Sequence, residues 1–145
     1  SAKKIIGHVA RGVEYAKKIN LPDMLVDFIL THHGTTTVQY FYRSFLNKYP
    51  EKEINTQKFT YPGPKPFSKE TAILMMADSI EAASRSLKLI DEETINKLVD
   101  EIIKAQFDEK QFDDVDLTFR DIEILKQVFK GKLLNIYHAR IEYPK

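Results

Sequence analysis

Leu21-Pro-Asp-Met-Leu-Val-Asp-Phe-Ile-Leu-Thr-His-His-Gly34 is the stretch on which the reading of the fold turns. Leu25, Phe28, Ile29 and His32 recur at i, i+3, i+4 and i+7, the spacing of one helix face. Pro22 cannot continue a preceding helix but suits the first turn of the next, and Gly34 is placed to stop that helix as a left-handed cap. The apolar stripe ends on a histidine, so the residues that define the helix also raise a question of chemistry. A polar ring on an apolar face needs a hydrogen bond or a metal to offset its desolvation.

Working outward, the same helical period recurs and no segment shows the sustained period-two alternation of a half-buried strand. A first helix is expected from about Lys3 to Asn20, with Ile5, Ile6, Val9, Val13 and Ala16 on its core side. A third, from Thr35 to about Lys48, is rich in aromatic residues: Tyr40, Phe41, Tyr42 and Phe45. A polar, Pro-rich loop at about 49–67 follows, closing as Tyr61-Pro-Gly-Pro-Lys-Pro66. Ser68 can cap a helix to about Leu89 with the stripe Ile73, Met76, Ala77, Ile80 and Leu87. Asp91 can cap the next, through Ile95, Leu98, Val99, Ile102 and Ile103, and the Thr118–Asp121 capping box opens the last. The expected fold class is therefore all-α, a bundle of about six helices.

Composition narrows the function. The 145 residues carry 22 Lys plus Arg against 21 Asp plus Glu, a net +1, which offers no global field for a nucleic-acid polymer. Cysteine is absent, so disulfides and thiolate ligands are excluded and any metal must be held by His and carboxylates. The longest apolar run, Ala72 to Ala77, is far short of the roughly 20 residues that cross a bilayer, so a soluble chain without membrane insertion is expected. With 43% hydrophobic residues, nine Phe and seven Tyr, a core burying roughly 70% of the unfolded surface can be filled.

Three of the four histidines fall within the first 33 positions. His33 lies about 100° round the helix from His32, at its end, so both imidazoles could reach one ion. His8 shares a face with Ile5, Gly12, Tyr15 and Ile19, where Gly12 leaves space one turn on. Structural histidines bonded to terminal carbonyls are the competing reading, and no HExxH spacing decides between them. His138 reads as structural or surface.

Asp78 is a second anomaly, following an apolar run and sharing a face with Leu74, Met75 and Ala82. Glu81 and Arg85 lie at i+3 and i+7, so the face is either a surface salt-bridge row or a carboxylate ligand with a guanidinium beyond it for a phosphate. Lys65 and Lys69, around the Pro-rich loop, could add charge at a cleft mouth, but a solvated loop is the plainer reading. Tyr40 and Tyr42 could stack on a nucleobase or could be core.

Taken in order, Asn20-Leu-Pro22, Thr31-His-His-Gly-Thr-Thr36, Tyr40-Phe-Tyr42, Tyr61-Pro-Gly-Pro-Lys-Pro66, Met76-Ala-Asp-Ser-Ile-Glu-Ala-Ala-Ser-Arg85 and Ile136-Tyr-His-Ala-Arg-Ile-Glu-Tyr-Pro144 resemble the cytoplasmic HD domain of the bacterial seven-transmembrane HD family of cyclic di-AMP phosphodiesterases. The resemblance covers essentially the whole chain. It implies a helical phosphohydrolase with two divalent transition metals, manganese or iron, in the complete domain, and one or none in this chain. Carried over by position, it implies His8, His32 and His33 as ligands of one ion and Asp78 as ligand of the other. Arg85, Tyr40 and Lys65 become the candidates for substrate contact.

The His-Asp dipeptide that names the superfamily does not occur in this chain. Residues 3–145 are accordingly expected to be the C-terminal portion of a single HD phosphohydrolase domain, inactive alone, whose catalytic bridging Asp lies outside it. An uncovered apolar surface is expected near His8 and Asp78, which a homodimer or helix exchange could hide. The full protein is expected in the bacterial inner membrane with this domain cytoplasmic. The alternative is a metal-free helical module that binds a nucleotide or relays a signal from a membrane sensor.

Overall fold

The computed structural model describes residues 1–142; Tyr143 and Pro144, the end of the last motif above, lie outside the described residues. The chain divides into two compact units, Ser1–Pro66 and the segment from Phe67 onward. Six α-helices and no strand occur among the described residues, as expected.

The first unit holds α1 (Ala2–Lys18), α2 (Asp23–Thr31), α3 (Gln39–Lys48) and a 3-10 turn, Thr56–Phe59. Pro22 stands immediately before α2, but the stop of α1 is made one step earlier. Asn20 takes a left-handed φ of 58°, its N–H bonding Lys17 O (3.1 Å) while Leu21 N–H bonds Ala16 O (2.9 Å). That pair of bonds satisfies terminal carbonyls which a helix otherwise leaves open. Gly34, at φ 49°, ends α2 as expected, its N–H bonding Thr31 O. Gly12 lets α1 and α2 approach: a Cβ there would sit 3.0 Å from Ile29 Cγ2, so the space beside His8 is filled from across the pair.

The third helix begins at Gln39, not Thr35. Thr35, Thr36 and Thr37 are β-branched and favour extended backbone. Here Thr37 forms an antiparallel bridge with Thr60, flanked by Val38 N–H to Phe59 O (2.6 Å) and Tyr61 N–H to Thr36 O (2.9 Å). The Pro-rich loop is thereby tied to the turn that follows the histidine pair.

The second unit packs α4 (Lys69–Ser84), α5 (Glu92–Asp108) and α6 (Phe119–Glu142) on one another. Its caps follow the sequence: Ser68 and Asp91 form capping boxes with Thr71 and Thr94, and Thr118 and Asp121 exchange bonds of 3.0 Å. The fourth helix stops at Ser84 rather than Leu89. Past that point the bonds tighten to i→i+3, Leu87 N–H to Ser84 O (3.2 Å), and the buried Tyr137 hydroxyl donates to the same carbonyl (2.8 Å). The core consists of Ala72, Met75, Met76, Ile80, Ile95, Val99, Ile103, Phe112, Ile122, Leu133 and Tyr137. The stripe of α4 is thus rotated about one residue from expectation, since Ile73 and Ala77 are only half-buried. No helix among the described residues is long and apolar enough to cross a membrane.

Candidate metal centre

Packing α1 against α2 brings His8, on the first helix, to His32 and His33 at the end of the second. One ligand atom from each of the three lies within 4.8 Å of the others. All three rings are half-buried. His8 Nδ1–H donates to Ile5 O (2.5 Å) and His32 Nδ1–H donates to Ile29 O (2.6 Å), each the carbonyl three residues back on its own helix. A carbonyl can only accept, so both rings must carry their proton on Nδ1, and in the neutral form each Nε2 is left with a lone pair. Those two Nε2 atoms lie 3.3 Å apart.

Two lone pairs facing each other at that distance need a positive centre. A proton on one ring would supply it, and so would a cation. Metal–imidazole bonds of about 2.0–2.1 Å place neighbouring ligand nitrogens roughly 3.0–3.4 Å apart, so the observed spacing fits a shared divalent ion. Carbonyl bonds to the far nitrogen are the usual way in which ligand histidines are oriented. His33 completes the cluster with its ring centroid 4.0 Å from that of His32 and 5.0 Å from that of His8. Burial, then the proximity of His32 and His8, lowers its pKa to about 4, which keeps it an unprotonated donor at neutral pH.

The other candidates are placed differently. Asp78 is exposed on α4: Met75 is buried, but Leu74 is 38% exposed and Ala82 is exposed too, so the apolar flank inferred from sequence does not desolvate the carboxylate. Arg85 is exposed and holds Glu81 through both ends of its guanidinium, Nε to Oε1 (2.9 Å) and Nη2 to Oε2 (2.5 Å). This is the surface salt bridge that the sequence offered as one of two readings. Lys69 pairs with Asp121 at 3.5 Å. Tyr40 is 75% exposed on α3 and Lys65 is half-buried in the loop. His138 is exposed. Ile5, whose carbonyl holds His8, is 40% exposed, and a groove of about 580 Å³ lined by Ile6, Phe59 and Pro62 among others, but by no triad residue, opens at the N-terminal end of α1.

One residue of the site was not singled out from sequence. Tyr61, only 7% exposed, lies flat on His33 with ring centroids 4.4 Å apart and planes 15° from parallel. Its motif was legible; the bridge that carries it to the histidines depends on pairing between segments 23 residues apart and has no periodic signature.

The chain is thus all-helical, with a histidine triad where α1 meets the end of α2. No protein-family model matches the chain. It is 40% identical over 141 residues to cyclic-di-AMP phosphodiesterase PgpH of Bacillus subtilis, and 39% identical over 140 residues to PgpH of Listeria monocytogenes. An uncharacterized protein of Synechocystis is 38% identical over 141 residues. These alignments take in 97%, 97% and 95% of this chain but only 20%, 19% and 17% of the relatives. Among solved structures, the L. monocytogenes PgpH HD domain in complex with cyclic-di-AMP superposes with a TM-score of 0.89, and the same domain without it with 0.85; each is 36% identical. In both cases 94% of this chain aligns with 63% of the other. In sequence and in fold this chain is homologous to the PgpH HD domain. It spans about a fifth of the length of the curated relatives.

Proposed function

We propose that this chain is the metal-binding, C-terminal part of an HD domain whose full-length protein hydrolyses a cyclic dinucleotide, cyclic-di-AMP, to the linear dinucleotide. The observation that carries the reading is the triad: three imidazoles on one spot, two with their Nδ1 tied to helix carbonyls and their Nε2 turned toward each other at 3.3 Å. Homology to proteins named cyclic-di-AMP phosphodiesterase, and to an HD domain solved with cyclic-di-AMP, supplies the substrate class.

In this reading His8, His32 and His33 hold one divalent ion, manganese or iron, and Asp78 is a ligand of a second. Such ions supply Lewis acidity toward water and toward the phosphodiester. The residues of the chain set where that acidity is applied. Carbonyl bonds hold two of the imidazoles in the ligating tautomer, and the lowered pKa of His33 keeps the third from competing protonation. Arg85 meets substrate phosphate with the fork that now holds Glu81, while Tyr40, with its exposed ring, and Lys65 meet the base and the charge of the dinucleotide. The chain carries no His-Asp dipeptide, and alone it is expected to be inactive. The domain faces the cytoplasm of a protein anchored in the membrane elsewhere along its length.

The test pairs metal analysis with turnover. The full-length protein should contain transition metal and cleave cyclic-di-AMP, and both should fall in His32→Ala and Asp78→Ala. Absence of metal from the full-length protein and from this chain would refute the reading.

A further inference from the structure

Resting on the metal reading above, we propose that Tyr61 is a positioning residue for the triad, its buried ring fixing the plane of the His33 imidazole just as the Ile5 and Ile29 carbonyls fix His8 and His32.

Three observations converge on it. The stack is close and nearly parallel, at 4.4 Å and 15°, so rotating the imidazole about its side-chain bond would drive its edge into the phenol ring. The same phenol meets His8 edge-on at 6.1 Å, so it sits under two members of the triad. The backbone that presents Tyr61 is also fastened to the His33 peptide. Thr36 donates to His33 O from both its N–H (3.1 Å) and its Oγ1–H (2.7 Å), and Thr36 O receives the Tyr61 N–H (2.9 Å). Two hydrogen-bonded steps thus connect the ligand's own carbonyl to the residue stacked on its ring.

The rest of the motif serves this placement. Two residues past Tyr61, Gly63 adopts φ +86°, where a Cβ would lie 3.0 Å from Thr35 Cγ2. The loop doubles back at that point against the turn next to the histidine pair, a path open to glycine and strained for other residues. Tyr61-Pro-Gly-Pro is therefore the support of a ligand as well as a linker between helices.

Titration of the metal-free 145-residue chain with Mn2+, and with Co2+ followed by its visible spectrum, tests the assignment. Wild type should bind, and His32→Ala should not. Tyr61→Phe keeps the ring and should bind within about twofold of wild type, whereas Tyr61→Leu and Tyr61→Met should bind about 10- to 100-fold more weakly, the range for removing a residue that orients a metal ligand. The Co2+ spectrum should shift with them. Each variant is melted by circular dichroism, and the ring protons of His33 are read by NMR in the metal-free state; the upfield ring-current shift should persist in Tyr61→Phe and vanish in a folded Leu or Met variant. If the wild-type chain binds no metal, the positioning role is overturned, and the functional reading then rests on whether the full-length protein holds metal. If wild type binds and a folded Leu or Met variant binds equally well, or Tyr61→Phe loses as much as they do, the positioning role is overturned while the metal reading stands. Should both aliphatic variants unfold, a wild-type His33 without the upfield shift overturns it.

Discussion

Ser1–Pro66 and the unit that follows bury apolar surface to very different extents. In the second, Ala72, Met76, Ile95 and Val99 are fully buried and belong to one continuous cluster across three helices. In the first, the buried apolar side chains are Val9, Ala16, Val26, Tyr61 and Pro66, while Ile5 and Leu25, both on predicted core stripes, remain 40% and 44% exposed. Yet the half-buried histidines lie in the first. Packing and chemistry are thus divided: one unit is held by its core, and the other gathers polar rings whose most stable arrangement needs a charge between them. Regions with few buried contacts open most easily, which makes the first unit the one whose stability a ligand can govern.

The largest test of this contrast is a truncation in each unit. Ile95→Ala, at a site with no exposure, should cost about 2–5 kcal/mol in a denaturant melt. Ile5→Ala, on the periphery of α1, should stay within roughly 0.5 kcal/mol of wild type, as surface changes do. Comparable losses at the two sites would erase the distinction.

Next in size is the effect of metal. A site that exists only when folded is stabilised by its ligand, by about 2.7 kcal/mol at one hundred times Kd. Hydrogen exchange should locate the gain in α1 and α2, with α5 unchanged. Protection spread equally over both units would mean that they do not respond separately.

Acidification probes the same region without metal. The folded pKa of His33 is about 4 against 6.5 for an unperturbed ring, so between these values the unfolded chain binds a proton that the folded chain refuses. Stability from this group is complete above about pH 6.5 and is lost as pH falls toward 4. His33→Gln should flatten that part of the profile, and an unchanged slope would show that the ring is not desolvated. The direction agrees with loss of metal on acidification, because ligand histidines must be neutral.

How far all this could be read from sequence follows the same division. Helix existence, the caps at Ser68, Asp91 and Thr118, and the left-handed Gly34 depend on residues within one turn of each other and were legible. Spacing singles out the three histidines but leaves them open between ligands and structural residues; the resemblance groups them, and the structure brings them together. What escaped depends on contacts distant in sequence. Tyr137 bonds the last turn of α4 from 53 residues away, and the Thr37–Thr60 bridge delays α3 and delivers Tyr61. The flank of Asp78 differs for another reason: periodicity places apolar neighbours beside it, but whether a face is covered depends on what packs there, and Leu74 and Ala82 are exposed.

Arg85 carries the smallest expected change in stability and the sharpest distinction between the two readings of its helix. Its ion pair with Glu81 has ideal forked geometry, but the two side chains are 69% and 47% exposed, and such pairs contribute little because water and salt already solvate them. Arg85→Gln should therefore leave the melting temperature unchanged. Its KM for cyclic-di-AMP in the full-length protein should rise, because the guanidinium is proposed to exchange Glu81 for a phosphate, and Arg85→Lys should recover only part of the loss since a point charge cannot reproduce the fork. A KM that does not move would leave the pair as the surface salt bridge that its exposure already describes, and would remove Arg85 from the substrate site without touching the triad.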